Sequence, residues 1–348
     1  MIKEAISKVI EKIDLSQREM ESVMDEIMTG RSSPAQIGAF LTALRLKGET
    51  VEEITGAARV MRQKAARIKT FGDKVKIDED EIIDTCGTGG TGTNTFNVST
   101  TSAFVAAGAG LKVAKHGNKS VSSLCGSADV IDALGISLKL SSEAVGECIK
   151  EVGIGFLFAP LFHRAMKYAI GPRREIGIRT IFNILGPLTN PAGATSQVMG
   201  VYEEKLTEIL ARVLGNLGLR HALVVHGMDG LDEITVTRES KISEFKEGKV
   251  KTYYLKPDDF SLSRAVMEDI KGGRVKKNAE MVIEVLKGEK GAPRDIVLLN
   301  AAAAFIAADR VKNFKEGINM AEASIDEGKA LEKLEALRKK TQELGKSC

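Results

Sequence analysis

The sequence predicts an α/β protein: a small all-helical N-terminal domain plus a larger α/β domain with a mainly parallel sheet. Three observations predict it. The first seventy residues repeat apolar positions at helical spacing between clear helix-start signals. From about residue 80, short apolar runs alternate with helical stretches, the pattern of strands crossing over through helices. The 348 residues, 43% hydrophobic and 28% charged, can bury the cores of two units.

Taken in order, Ile2, Ala5, Ile6, Val9, Ile10 and Ile13 form one apolar stripe of a first helix. Three further helices open on capping boxes, Ser16 with Glu19, Ser33 with Gln36, and Thr50 with Glu53. Pro34 stands at a first helical position, and Gly30 and Gly48 fall where left-handed residues end helices. The runs "EIIDTC", "LKVAKHG", "IGFLFA", "SQVMGVY", "HALVVHG" and "EITVT" read as strands, the first over Glu81–Cys86. "SADVIDALG", "SSEAVGECIKEVG" and "EKLTEILARVLGNLG" read as the helices between them. "SEFKEGKVKTYYL" reads as a hairpin turning at Glu247-Gly248, and the chain is helical again from "NAEMVIEVL" onward. The expected domains are 1–72 and 78–348, with a helical segment near 172–190 returning to the first.

Fifty basic and 47 acidic residues give a net charge of +3, which argues against a nucleic-acid partner. The N-terminus lacks the unbroken apolar core of a signal peptide, and "VLLNAAAAFIAA" is too short to span a bilayer and reads as a buried helix. Cys86, Cys125, Cys148 and Cys348 are widely spaced, so neither a disulfide framework nor a zinc site is expected, and the expected compartment is a reducing cytoplasm.

Candidate chemistry gathers in three segments. "DTCGTGGTGTNTFNVST" lies between a strand and a helix, where bare backbone N–H groups and a helix N-terminus suit a phosphate. It matches neither standard nucleotide-binding fingerprint, and a structural turn is the alternative. "KHGNKSVSSLCGSADV" puts Lys115, His116, Asn118, Lys119, Ser122 and Ser123 at a strand's carboxyl end, suited to a phosphate ester or else a solvated basic turn. "HGMDGLDEIT" clusters Asp229, Asp232 and Glu233, which can hold Mg²⁺ or form an acidic turn.

"GTGGTGTNTFNVST", "KHGNKSVSSLCGSADVIDALG", "RREIGIRTIFNILGPLTNPA" and "DGLDEIT", in this order and spacing, resemble the anthranilate phosphoribosyltransferases of tryptophan biosynthesis, over nearly the whole chain. The resemblance implies an architecture shared with the pyrimidine nucleoside phosphorylases, a homodimer, and an active site at the hinge between the two domains. It implies transfer of the phosphoribosyl group of 5-phosphoribosyl 1-pyrophosphate to the amine of anthranilate, with Mg²⁺ as cofactor.

Carried over residue by residue, Gly87, Thr88, Gly89 and Gly90 would approach phosphoribosyl pyrophosphate through backbone, with Thr91 beside them. Thr95, Asn97, Val98, Ser99 and Thr100 would close round the pyrophosphate. Lys115, His116, Gly117, Asn118, Lys119, Ser120, Val121, Ser122 and Ser123, with Ser127 beyond, would hold the phosphoribosyl part. Gly87, His116, Asn118 and Arg173 would meet anthranilate, Arg173 through its carboxylate; Arg174 reads equally as a surface residue. Ser99, Asp232 and Glu233 would bind the metal. His163, His221 and His226 read as packing or capping residues. The aromatic amine is neutral at pH 7 with its lone pair ready, so no acid–base residue is assigned.

The chain departs from the family's pattern at Thr91, where most relatives carry an aspartate. A nucleoside phosphorylase and a nucleic-acid-binding relative are the competing readings. The KHGN segment and Arg173 with "NILGPLTNP" favour the transferase over the first; the charge balance and the Asp232-Glu233 pair count against the second.

Overall fold

The structure is a computed structural model that describes residues 1–68, 81–120 and 124–345. Four helices build the N-terminal unit: α1 (Ile2–Ile10), α2 (Gln17–Met28), α3 (Pro34–Lys47) and α4 (Val51–Lys64). The three expected capping boxes all form, each hydroxyl accepting from its third helical amide. The stripe of α1 stops early. Lys12 takes φ 59°, the helix ends at Ile10, and Ile10 and Ile13 are left 61% and 51% exposed. The expected boundary between 72 and 78 lies outside the described residues.

The second unit alternates strand and helix: β1 (Ile82–Gly87), α5 (Val98–Gly108), β2 (Lys112–Gly117), α6 (Ser127–Ala133), α7 (Ser142–Glu151) and β3 (Ile154–Phe158). Three short helices follow, α8 (Ala159–Phe162), α9 (Lys167–Ile176) and α10 (Phe182–Leu185), before β4 (Ser196–Gly200), α11 (Leu206–Asn216) and β5 (His221–Gly227). A hairpin of β6 (Ser240–Lys246) and β7 (Lys249–Leu255) turns at Glu247 and Gly248, both at positive φ. Helices α12 (Val275–Leu286), α13 (Ala292–Ala307), α14 (Phe314–Asp326) and α15 (Lys329–Gly345) close the chain. The sheet order is β3-β2-β1-β4-β5-β6-β7, parallel as far as β5 and antiparallel through the hairpin.

The run "EITVT" is not a strand. Side chains satisfy its backbone instead: Asn300 on α13 both donates to and accepts from Ile234, and Ser240 Oγ accepts from the Thr235 amide. With those groups used, no ladder partner is needed.

Strand alternation divides the core in two. Val198, Leu223 and Val225 face one apolar cluster with α5 and α13, while Met199, Ala222 and Val224 face another that contains α11 and the N-terminal helices. Helix α9 packs on α2 and α3, and Ala169, Ile181, Phe182 and Leu185 join that second cluster. Helix α4 packs on α11. At this junction the Arg62 guanidinium donates to the Leu188 and Leu217 carbonyls at 2.7 and 3.0 Å. Burial lowers its pKa to about 10, so it stays charged at pH 7 and clamps the units by hydrogen bonding to carbonyls.

Candidate active site

Strands β1 to β3 run outward on one side of the sheet and β4 to β5 on the other, so the order reverses between β1 and β4. Ligands of open α/β sheets collect at the carboxyl ends flanking such a reversal. Here those ends are Gly87 and Gly200, which are register partners. Asp232 sits directly over both. A Cβ at Gly87 would fall 2.4 Å from Asp232 Oδ2, and one at Gly200 only 1.6 Å from the Asp232 carbonyl oxygen. Glycine at both strand ends is therefore what lets the carboxylate reach the loop.

The glycine loop is pinned residue by residue. The Thr88 amide donates to the Gly200 carbonyl at 2.9 Å, and the Gly89 amide donates to Asp232 Oδ2 at 2.8 Å. Gly89 and Gly90 have φ of 64° and 76°, a left-handed turn open to glycine. Glu233 lies at the N-terminus of α5, where its Oε1 accepts from the Ser99 amide at 3.3 Å.

Asp232 and Glu233 are both partly exposed, yet enough protein surrounds them that burial raises both carboxyl pKa values, Glu233 further because Asp232 is beside it. Each accepts from an amide, Asp232 from Gly89 in the loop and Glu233 from Ser99 in the first turn of α5. Two carboxylates and the hydroxyl-bearing Ser99 are hard oxygen donors, which fit a magnesium ion that keeps water or phosphate in its other positions. Among the described residues no group of three or more His, Cys, Asp or Glu side chains is placed to hold a metal. Asp229 is not a free donor: it accepts from the Thr235 and Thr237 hydroxyls and the Leu231 amide.

Strands β1 and β2 pair only at Ile82–Lys112 and Ile83–Val113. Past that point Asp84 bridges them, its Oδ1 accepting from the His116 amide at 3.1 Å. Among the described residues its other oxygen is buried with no partner at hydrogen-bond geometry, and burial raises its pKa while the charge of the buried Lys115 opposes the rise. Lys115 donates to the His116 carbonyl at 3.3 Å. The His116 and His163 rings meet at a tilt, with centroids 5.2 Å apart and planes at 59°. Burial holds the two imidazoles down to about 3 and about 4, so both are neutral at pH 7. Beyond β2 the chain folds back on α6. Ser127 Oγ accepts from the Asn118 amide, Ser120 N–H donates to Asp129, and Gly117 is where a Cβ would strike Ser127 Oγ. Asn118 and Lys119 are exposed there. Val121, Ser122 and Ser123 lie outside the described residues.

Several expected site residues turn inward. Val98 is a core side chain, Thr100 is buried with its hydroxyl unpartnered, and Asn97 Oδ1 accepts from Asn278 at 3.0 Å. These side chains support the loop, leaving their backbone as what they can present. Thr95 pairs with Lys271, and the Thr91 and Thr93 hydroxyls lie 2.7 Å apart. On α9, Arg173 is half-buried over the Phe182 ring at 5.0 Å, and burial lowers its pKa; Arg174 is exposed. Of the other histidines, His221 joins Glu244 to Asp309, and His226 Nδ1 meets the Val201 carbonyl at 2.8 Å. His163 caps the end of α8, as expected, and its ring also packs against His116. Sequence reasoning missed Asp84. An acidic residue inside an otherwise apolar strand was the available signal.

The N-terminal helices, residues 3–65, match the helical bundle domain of a glycosyl transferase family, and residues 79–331 match the α/β domain of that family. An anthranilate phosphoribosyltransferase of Geotalea uraniireducens is 59% identical over 99% of this chain and 100% of its own length. That of Geobacter sulfurreducens is 56% identical over 97% of this chain and 98% of its own. The crystal structure of the Thermus thermophilus enzyme superposes with a TM-score of 0.90 at 41% identity, covering 97% of this chain and 99% of that one. The Saccharomyces cerevisiae enzyme, solved in complex with phosphoribosyl pyrophosphate and magnesium, gives 0.88 at 30% identity, covering 99% and 98%. With a strand-order reversal capped by a glycine loop and a carboxylate pair, and with identity sustained from end to end, the chain belongs to the anthranilate phosphoribosyltransferase family.

Proposed function

We propose that this chain transfers the phosphoribosyl group of 5-phosphoribosyl 1-pyrophosphate to the amine of anthranilate, releasing pyrophosphate, a step of tryptophan biosynthesis. The observation that carries the reading is Asp232 and Glu233 each bonded to an amide of the same glycine loop and helix start. That brings hard oxygen donors and backbone N–H groups to one place, as a magnesium pyrophosphate requires. Magnesium, held by Ser99, Asp232 and Glu233, would neutralise charge on the leaving pyrophosphate. The loop amides and Lys115 hold the phosphates in line. Neutral His116 offers the aromatic amine an uncharged face, and Arg173 takes its carboxylate. The test is loss of anthranilate fluorescence dependent on phosphoribosyl pyrophosphate and Mg²⁺. No loss, together with phosphorolysis of thymidine, would overturn the reading in favour of a nucleoside phosphorylase.

Arg173→Ala is expected to raise the KM for anthranilate at least tenfold while moving that for phosphoribosyl pyrophosphate less than about twofold, since a two-pronged bond to a planar carboxylate is lost. Equal effects on both substrates would make the arginine structural. At the family's aspartate position, Thr91→Asp adds a charge near the pyrophosphate and metal. Charges about 4 Å apart interact by roughly 1–4 kcal/mol at effective dielectrics of 80 to 20. The expected result is a shifted magnesium optimum with anthranilate affinity untouched; an unchanged profile would show that position 91 does not sense the metal.

A homodimer is part of the same reading. Ile10, Ile13, Leu46, Tyr168, Ile170 and Ile178 are exposed on and beside α1, α3 and α9, and Leu46 is 81% exposed. Such a gathering of apolar side chains on one helical unit suits a second copy. A monomer mass in sedimentation at micromolar concentration would count against it.

A further inference from the structure

We infer that Arg179 is a positioning residue for pyrophosphate, acting by fixing the plane of the Gly90–Thr91 peptide. The inference rests on the pyrophosphate-binding role given above to the glycine loop. Arg179 lies on the segment between α9 and α10, six positions beyond Arg173 in the sequence. Its Nη2 donates to the Gly90 carbonyl oxygen. Its guanidinium Cζ lies over the Tyr202 ring, 4.4 Å from the centroid, a cation–π contact. Tyr202 in turn donates its amide to Thr88 Oγ1 at 3.0 Å. One arginine thus touches the loop at Gly90 and rests on the residue that holds the loop at Thr88.

The consequence follows from peptide geometry. A trans peptide is planar, with its C=O and N–H pointing opposite ways. Holding the Gly90 oxygen toward Arg179 therefore turns the Thr91 N–H away from the guanidinium and makes it available as a donor. Without that hold, Gly90 at φ 76° can rotate freely, and a flipped peptide would present a carbonyl oxygen where an anion must sit. Among the described residues Arg179 has no carboxylate partner within ion-pair distance, so no ion pair competes for it. Arg45, Glu49 and Glu203 lie near the same tyrosine, and their formal charges cancel only when that of Arg179 is added.

The experiment compares Arg179→Ala, Arg179→Lys and Arg179→Gln with the unaltered protein in steady-state kinetics, and measures the melting-temperature shift with pyrophosphate plus Mg²⁺. Arg179→Ala is expected to raise the KM for phosphoribosyl pyrophosphate about tenfold or more, and to lose most of the pyrophosphate-induced shift. The anthranilate KM should stay within twofold and the ligand-free melting temperature near its original value. Lysine and glutamine, which can still donate to the Gly90 oxygen, should each recover part of the loss; recovery by neutral glutamine separates orientation from charge. A phosphoribosyl pyrophosphate KM within twofold in the alanine variant, or equal rises for both substrates, would overturn the inference. If the unaltered protein consumes no anthranilate, the functional reading fails, and the pyrophosphate shift alone still decides the role of Arg179.

Discussion

Changing Asp232 to Asn and Glu233 to Gln together is expected to cut turnover at least about 10³-fold while leaving the fold intact. Each carboxylate accepts from an amide of the phosphate-binding region, and both are hard oxygen donors suited to a cation. Losing metal stabilisation of a leaving pyrophosphate removes several kcal/mol from the transition state, and each 1.36 kcal/mol is tenfold in rate. Stability should move the other way. Burial disfavours both charges, so the neutral amides relieve a desolvation cost, and the ligand-free melting temperature should hold or rise. Near-normal, magnesium-dependent turnover in the double variant would remove these residues from the metal site.

The second large effect separates stability from catalysis at two glycines that form one register pair. Gly200→Ala drives a Cβ to 1.6 Å from a backbone oxygen, and backbone cannot swing aside. It should cost about 4 kcal/mol or more, lowering the melting temperature on the order of 5–10 °C. Gly87→Ala meets a carboxylate oxygen at 2.4 Å, and a side chain can rotate away. The fold should survive with about 1 kcal/mol lost. The displaced Asp232 should then lower kcat/KM about 10²-fold, the usual penalty for misplacing a catalytic contact by an ångström. Thermal melts and kinetics on the two variants check both halves. A fully active Gly87→Ala would show that the Asp232 position is not critical.

Much of this was legible because it is local. A capping box spans four residues, so Ser16, Ser33 and Thr50 announced their helices without any knowledge of the tertiary fold. The hairpin at Glu247-Gly248 was equally self-contained. The glycine loop announced itself by composition, and the sheet then placed it at the strand-order reversal. What escaped depended on distant partners. "EITVT" has strand composition, but Asn300, 66 positions away, takes over the hydrogen bonding of Ile234. Arg179 reaches Gly90 across 89 positions, and nothing near either residue signals the other. The family resemblance gives Thr100 and Asn97 as ligands, yet Thr100 is buried and the Asn97 side chain accepts from Asn278, 181 positions away. Residue type shows what a side chain can do, and only the packing shows which way it points.

The passage of α9 and α10 back onto the N-terminal helices sets an order of events during synthesis. Helices α1 to α4 leave the ribosome first, with Met24, Ile27, Phe40 and Leu44 on their apolar faces. The side chains that complete their cover, from Ala169 through Leu188 and on to Leu214 and Val224, emerge roughly 100 residues later, on the order of 5–20 s at ordinary elongation rates. Until then the nascent helical bundle is an open core, a natural client for chaperones that hold apolar surface. The same arithmetic makes a chain stopped shortly after α4 aggregation-prone, even though every cap in it is intact.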